Sequence, residues 1–107
     1  MLDDLKYIHS RDAQDALGVA QKQWQQLTHD FNVDYKPTTE IRNVVVAGMG
    51  GSAWPAMFVR DWPGVKVPFE IVRDYSLPGY VDENTLVITS SYSGNTEETL
   101  SCLVDAS

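Results

Sequence analysis

The hydrophobic positions of the chain follow two different spacings, one before and one after residue 40. From Ser10 onward, apolar residues recur every three or four positions with polar residues between them: Ala13, Ala16, Leu17, Ala20, Trp24, Leu27 and Phe31. This spacing predicts a helix with one apolar face, preceded by nine flexible or docking residues. Residues 32–39, which contain Pro37, are expected to end it, so residues 1–40 form an N-terminal helical segment and linker.

From residue 41 the pattern changes to short apolar runs alternating with helical stretches. Residues 44–47 are continuously apolar, which is typical of a strand buried on both faces, and further strands are predicted at residues 69–72 and 85–89. Helices are predicted after the first strand, with Pro55 in the first turn, and again from Glu97. Alternating strands and helices predict an α/β fold with a parallel sheet and right-handed crossovers. Because the last helix has hardly begun at Ser107, residues 41–107 are expected to be the first part of a longer domain, which on its own would be catalytically inert and would self-associate through its unpaired sheet edge.

Composition and charge narrow the class of protein. A chain of 107 residues with 43% apolar residues is expected to form one folded domain at most. It has no apolar run of the ~20 residues needed to span a bilayer, no apolar signal-peptide core, and one cysteine, so a cytoplasmic protein without a membrane partner is expected. The net charge of −7 argues against nucleic acid as a partner, and it requires that any anionic ligand be held by local dipoles and N–H groups.

The first candidate for chemistry is the glycine-rich turn at residues 48–52, between the first strand and the following helix. Glycines at Gly50 and Gly51 allow the backbone to approach a ligand closely, the helix start offers unpaired N–H groups, and Ser52 adds a hydroxyl. With Ala53 the turn also fits the looser dinucleotide-binding pattern, for which Asp74 would be the ribose-binding acid. A tight turn that binds nothing is the third interpretation. This turn alone does not distinguish among the three.

The second candidate is the hydroxyl-rich loop that follows the third strand. Ser91, Ser93 and Thr96 place three hydroxyls within six residues, and Gly94 lets the loop fold back so that backbone N–H groups converge with them. Helix capping, with Asn95 and Glu98 as a capping box, would explain some of these residues but not all of them. Ligands of open α/β sheets bind at the carboxyl ends of the strands, which favours a phosphate-binding cup. A dinucleotide site has no need of this second loop.

Together the strings GMGGSA (48–53) and SYSGNTEETL (91–100, preceded by Ser90) resemble the sugar-isomerase (SIS) domain family, most closely its bifunctional phosphoglucose/phosphomannose isomerases. The resemblance extends from about Ile41 to the end. It implies a three-layer αβα sandwich of the SIS type, a homodimer, and a hexose 6-phosphate substrate with no metal or cofactor. It also implies phosphate contacts from Gly50, Gly51, Ser52, Ser91, Ser93, Gly94 and Thr96. The activity implied is interconversion of glucose 6-phosphate or mannose 6-phosphate with fructose 6-phosphate.

The resemblance places no catalytic residue in this chain, because the family's arginine, glutamate, histidine and lysine lie further along. His9 and His29 match no family motif and are expected at the surface or in packing. Glu97 and Glu98 are explained by their favourable place at a helix N-terminus. The departure from the family pattern at residues 54–55, Trp-Pro instead of small residues, affects the expected pocket shape. A non-catalytic sensor of phosphosugars is the main alternative function, and a dinucleotide-binding domain is a further one.

Overall fold

The computed structural model describes residues 3–107, which divide into two compact units, one ending at Tyr35 and the other comprising Lys36–Ser107. The predicted division at residue 40 lies close to this boundary, and the extent of the two domains stays a prediction. None of the helices in residues 3–107 has the length and apolar character required to cross a bilayer.

In the N-terminal unit, the prediction of one helix from Ser10 to Phe31 is wrong. The unit contains α1 (Leu5–Arg11), α2 (Ala16–Lys22) and a 3-10 turn (Gln23–Thr28). The break has a local cause: the Asp12 carboxylate accepts hydrogen bonds from the backbone N–H groups of Ala16 (2.8 Å) and Leu17 (2.9 Å). An aspartate that binds amides ahead of it starts a new helix instead of continuing the old one.

The apolar positions of this unit are not a buried stripe. Trp24, Leu27 and Phe31 are 63%, 88% and 77% exposed. Of the first nine residues, expected to be flexible or to dock, those from Leu5 onward are helical, because Asp4 caps α1 by accepting a hydrogen bond from Tyr7 N–H at 3.2 Å. Met1 and Leu2 lie outside the described residues.

The second unit is built on a three-stranded parallel sheet. Its strands are β1 (Asn43–Gly48), β2 (Phe69–Val72) and β3 (Thr85–Ser90), in the order β2-β1-β3. The glycine-rich turn forms a 3-10 turn (Gly50–Ala53) that continues into α3 (Trp54–Arg60), with Pro55 in the first helical turn as predicted. The last helix, α4 (Glu97–Asp105), follows β3. The prediction of an α/β fold with a parallel sheet is confirmed.

The two helices cover opposite faces of the sheet. Val45, Ala47 and Val72 form a buried cluster with Cys102 of α4. Since successive side chains of a strand point to opposite faces, Val46 points the other way. There it lines a cavity of about 210 Å³ together with residues of α3, among them Ala56.

The connection between β2 and β3, residues 73–84, contains turns and no helix. It is held against α4 by two hydrogen bonds: Leu77 N–H donates to Asp105 Oδ2 at 3.3 Å, and the Cys102 thiol donates to the Asp74 carbonyl at 3.3 Å. Burial raises the pKa of that thiol. The connection therefore packs on the same face as α4 although it has no helix of its own.

The strand order creates a switch point between β1 and β3. The chain leaves β1 for β2 on one side and then returns to β3 on the other side of β1. At such a point the loops at the carboxyl ends of the two neighbouring strands diverge and leave a crevice, which is where open α/β sheets bind ligands. Both candidate loops begin at this edge, because Gly48 and Ser90, the last residues of β1 and β3, are register partners.

Candidate functional site

The loop after β1 forms the first half of the candidate site. Gly50 has φ +52°, a left-handed conformation that favours glycine. At Gly48 an added Cβ would lie 3.0 Å from the Ser90 carbonyl oxygen, so the close approach of the two strands favours a glycine there. Gly51 is different, since its φ lies outside the left-handed region and an added Cβ would meet open space within 4 Å. Neither the backbone conformation nor packing requires glycine at position 51.

The loop after β3 brings three hydroxyls together. Ser91 Oγ lies 2.9 Å from Thr96 Oγ1 and 3.4 Å from Ser93 Oγ, and Ser93 Oγ lies 3.5 Å from Thr96 Oγ1. The loop is folded back at Gly94, whose φ is +71°, and its backbone N–H donates to Ser91 Oγ at 3.1 Å. The N–H of Asn95 donates to Ser93 Oγ at 3.2 Å. We call Ser91, Ser93 and Thr96 the hydroxyl triangle.

Helix capping accounts for little of this arrangement. The N-cap of α4 is Thr96 and not Asn95, so the capping box of Asn95 and Glu98 that the alternative interpretation requires is not formed. Among residues 3–107 the Thr96 side chain makes no capping hydrogen bond, and its hydroxyl contacts Ser91 and Ser93 instead. The hydroxyl triangle therefore lies at the positive end of a nine-residue helix, and its Thr96 hydroxyl is not engaged in capping that helix.

The two loops meet through one hydrogen bond and one cavity. Tyr92 N–H donates to Ser52 Oγ at 3.2 Å, a contact between residues that are 40 positions apart. Beside this contact lies an open cavity of about 530 Å³, lined by Gly51, Ser52, Pro55, Ser90, Ser91 and Tyr92. The predicted site residues Gly51, Ser52 and Ser91 thus share a cavity, while Ser93, Gly94 and Thr96 complete the neighbouring loop.

The charged groups nearest to the hydroxyl triangle in sequence are acidic. Glu97 and Glu98 occupy the first turn of α4, where the helix dipole favours carboxylates. Their negative charge also acts on Tyr75, in the connection that follows β2. The charge of Glu98, together with burial and the charge of Glu97, raises the pKa of the Tyr75 phenol. An anion at the triangle would be held by hydroxyls, N–H groups and the dipole, against these two charges.

Other residues considered from the sequence lie elsewhere. The Asp74 carboxylate accepts a hydrogen bond from the N–H of its neighbour Tyr75 at 2.7 Å, which occupies one of its oxygens locally. His9 and His29 are exposed and belong to the N-terminal unit, and the His29 ring packs edge-on against Phe31. Trp54 is exposed and does not line the cavity, whereas Pro55 does.

Sequence reasoning missed the part played by Ser90, Pro55 and Tyr92 in the cavity. Tyr92 is part of the SYSGNTEETL motif, but its link to Ser52 depends on the register of β1 against β3, which the motif does not contain.

Among the described residues, no group of three or more histidine, cysteine, aspartate or glutamate side chains is arranged to hold a metal ion.

A parallel α/β sheet with two glycine- and serine-containing loops at its switch point places the chain in the class of open α/β proteins, whose ligands bind at the carboxyl edge of the sheet. The comparison with known proteins is more specific. The chain is similar to bifunctional phosphoglucose/phosphomannose isomerases from Caldicellulosiruptor bescii (54% identity over 69 residues, 63% of this chain), Aquifex aeolicus (38% over 89 residues, 80% of this chain) and Thermoplasma acidophilum (45% over 69 residues, 64% of this chain).

The resemblance to this family found in the motifs is therefore confirmed. The matches cover 20%, 26% and 22% of these relatives, so the chain spans about a fifth to a quarter of their length. No family model matches the chain, and no solved structure matches it.

Proposed function

We propose that this chain is the phosphosugar-binding part of a glucose-6-phosphate/mannose-6-phosphate isomerase, which interconverts these aldoses with fructose 6-phosphate. The observation that carries the proposal is the hydroxyl triangle of Ser91, Ser93 and Thr96, tied to Ser52 through Tyr92 N–H at the switch point. The similarity to relatives named phosphoglucose/phosphomannose isomerase supports the choice of a phosphosugar over other anions.

In this proposal the phosphate group replaces the internal contacts of the triangle. Each hydroxyl now lies within hydrogen-bond distance, 2.9–3.5 Å, of a neighbouring hydroxyl, and a rotation about its Cβ–O bond would direct its O–H at a phosphate oxygen instead. A hydrogen bond to a charged acceptor is worth about 1.5–3 kcal/mol, more than a bond between two neutral hydroxyls. Gly50 and Gly51 would supply close backbone contacts from the other loop, and Gly94 would keep the triangle folded.

The wider properties of the proposed parent protein follow from the same resemblance. We propose a three-layer αβα sandwich of the SIS type, a cytoplasmic homodimer, and catalysis without a metal or cofactor. The isomerisation moves a proton between C1 and C2 of the sugar through an enediol, which requires a base and an acid near those carbons. We assign neither role to a residue of this chain, because the carboxylates next to the site, Glu97 and Glu98, are fixed in the first turn of α4.

The test is an NMR titration of the 15N-labelled chain with glucose 6-phosphate and, separately, with glucose. We expect the amide signals of Ser52, Ser91, Ser93 and Thr96 to shift with the phosphosugar only. Equal shifts with glucose would contradict the proposal, because the phosphate would then contribute nothing to binding.

A variant pair makes the test specific. Ser91→Ala removes one of the three hydroxyls of the triangle and should weaken glucose 6-phosphate binding by about tenfold or more, which corresponds to one lost bond to a charged acceptor. Ser76→Ala, an exposed serine in the β2–β3 connection, is the matched control and should bind as the unmodified chain does. If binding occurs but the parent protein does not convert glucose 6-phosphate to fructose 6-phosphate, the chain belongs to a phosphosugar sensor and the enzymatic part of the proposal is wrong.

A further inference from the structure

Among residues 3–107, Tyr92 is the most exposed large apolar residue, although it lies inside the candidate site. Its exposure is 103%, whereas the other four tyrosines with a described exposure lie between 42% and 60%. Full exposure of an aromatic ring leaves apolar surface in water that packing would otherwise remove. A ring held in this way at the wall of a cavity is available to a ligand.

The backbone beneath the ring is fixed in place. Tyr92 N–H is bonded to Ser52 Oγ at 3.2 Å, and its neighbours Ser91 and Ser93 both belong to the hydroxyl triangle. The Cα of Tyr92 is therefore positioned by both loops, while the phenol side chain makes no hydrogen bond within residues 3–107. Only the side-chain torsions need to change for the ring to move over the cavity.

The cavity is lined by both polar and apolar residues. Ser52, Ser90 and Ser91 are lining residues that carry hydroxyls, and Pro55 and Tyr92 are lining residues that carry apolar groups. A phosphate needs the hydroxyls and gains nothing from an aromatic ring. A pyranose ring does gain from an aromatic ring, because one face of the sugar carries axial C–H groups that pack against the aromatic face.

From this arrangement we infer that the Tyr92 ring stacks on the sugar ring of the bound phosphosugar and so distinguishes a hexose 6-phosphate from free phosphate. This inference rests on the proposed function and adds a sugar-contacting residue to it. Glucose and mannose present the same C–H face at C3 and C5 and differ in the direction of the hydroxyl at C2. A ring stacked on the C3 and C5 face holds both epimers equally well.

The experiment compares the affinities of inorganic phosphate, glucose 6-phosphate and mannose 6-phosphate for the chain and its variants. In Tyr92→Ala we expect the affinity for both sugar phosphates to fall by about three- to tenfold relative to the affinity for phosphate, the usual size of one aromatic contact. Tyr92→Phe keeps the ring and should restore the preference for the sugar phosphates. Trp54→Ala, which removes an exposed aromatic residue that does not line the cavity, is the matched control and should leave the preference unchanged.

A direct signature accompanies the affinities. Ring protons of a stacked tyrosine give intermolecular nuclear Overhauser effects to the sugar C–H protons, and these should disappear in Tyr92→Ala. If phosphate binds and the preference for glucose 6-phosphate survives Tyr92→Ala, the inference is wrong while the phosphate site stands. If neither phosphate nor the sugar phosphates bind the unmodified chain, the proposed function fails and the inference fails with it.

Discussion

Gly51→Ala separates the structural role of the glycine-rich turn from its role in binding. The φ of Gly51 is outside the left-handed region, and an added Cβ meets no protein atom within 4 Å. An alanine there also lowers the conformational entropy of the unfolded chain, which stabilises a protein by about 0.4–1 kcal/mol where the conformation permits it. We therefore expect the free energy of unfolding to stay unchanged or to rise slightly.

Binding should respond in the opposite direction. Gly51 lines the cavity, so the added methyl group occupies space next to the backbone that the proposed phosphate would approach. Losing one backbone N–H bond to a charged acceptor costs about 1.5–3 kcal/mol, which is roughly a ten- to hundredfold loss of affinity for glucose 6-phosphate.

Urea unfolding and isothermal titration calorimetry measure the two quantities on the same samples. Gly79→Ala is the matched control, since it too has open space around an added Cβ and an ordinary φ, but lies in the β2–β3 connection. Gly94→Ala provides the contrast: its φ of +71° is strained for alanine, so it should lose about 1–2 kcal/mol of stability. Unchanged affinity in Gly51→Ala would refute the close backbone contact, and a clear loss of its stability would refute the open space around position 51.

Three further predictions concern stability and titration. Val45→Ala truncates a fully buried side chain and leaves a cavity, so it should lower the free energy of unfolding measured in urea by about 2 kcal/mol. Val104→Ala, at an exposed position of α4, should leave it almost unchanged, and equal losses in the two variants would contradict the core described above. The hydrogen bond from the Tyr80 hydroxyl to the Glu70 carboxylate raises the pKa of Tyr80 to about 12, so the stability that this bond contributes is present below pH 10 and is lost as the pH rises through about 12. A tyrosinate absorbance titration of Tyr80→Phe should lack the latest transition, and a curve that loses an earlier one would contradict the assignment. Hydrogen bonds from the first amides of α2 lower the pKa of Asp12, so the stabilisation that they give is present above the ordinary pKa of 3.8 and is lost as the pH falls through the lower folded value. Circular dichroism should show a loss of helix in that acid range. Asp12→Ala should show the same loss already at neutral pH, and an unaltered spectrum of this variant would contradict the prediction.

The sheet could be predicted from the sequence because its signals are local. The continuous apolar run around Val45 and the segment 69–72 are short, strongly apolar and bounded by turn residues, and β2 has the predicted bounds. The N-terminal helix could not be predicted in the same way. Its three- and four-residue spacing suggested one long helix, but the Asp12 carboxylate binds the amides of Ala16 and Leu17 and outweighs the spacing.

In the site, too, contacts within one loop could be predicted from the sequence, whereas contacts between distant residues could not. That Ser91, Ser93 and Thr96 lie close together follows from one folded loop with a glycine at position 94, and the motif alone predicted it. The bond from Tyr92 to Ser52 and the shared cavity depend on strand order and register, to which residues 40 positions apart contribute jointly. Each loop is therefore predictable from the sequence, whereas the crevice between them arises only from the pairing of the two strands.

The direct pairing of β1 with β3 has a consequence for which changes of length the chain tolerates. Residues 73–84 lie between the two halves of the site in sequence but outside this pairing, so additional residues at the Pro78–Gly79 turn leave Ser52 and Ser91 at the same separation. One residue deleted within β3 shifts the following loop by about 3.3 Å and turns alternate side chains to the opposite face of the sheet. We therefore expect the middle of this sequence to tolerate added residues, whereas β1 and β3 on either side of it do not tolerate a change of length.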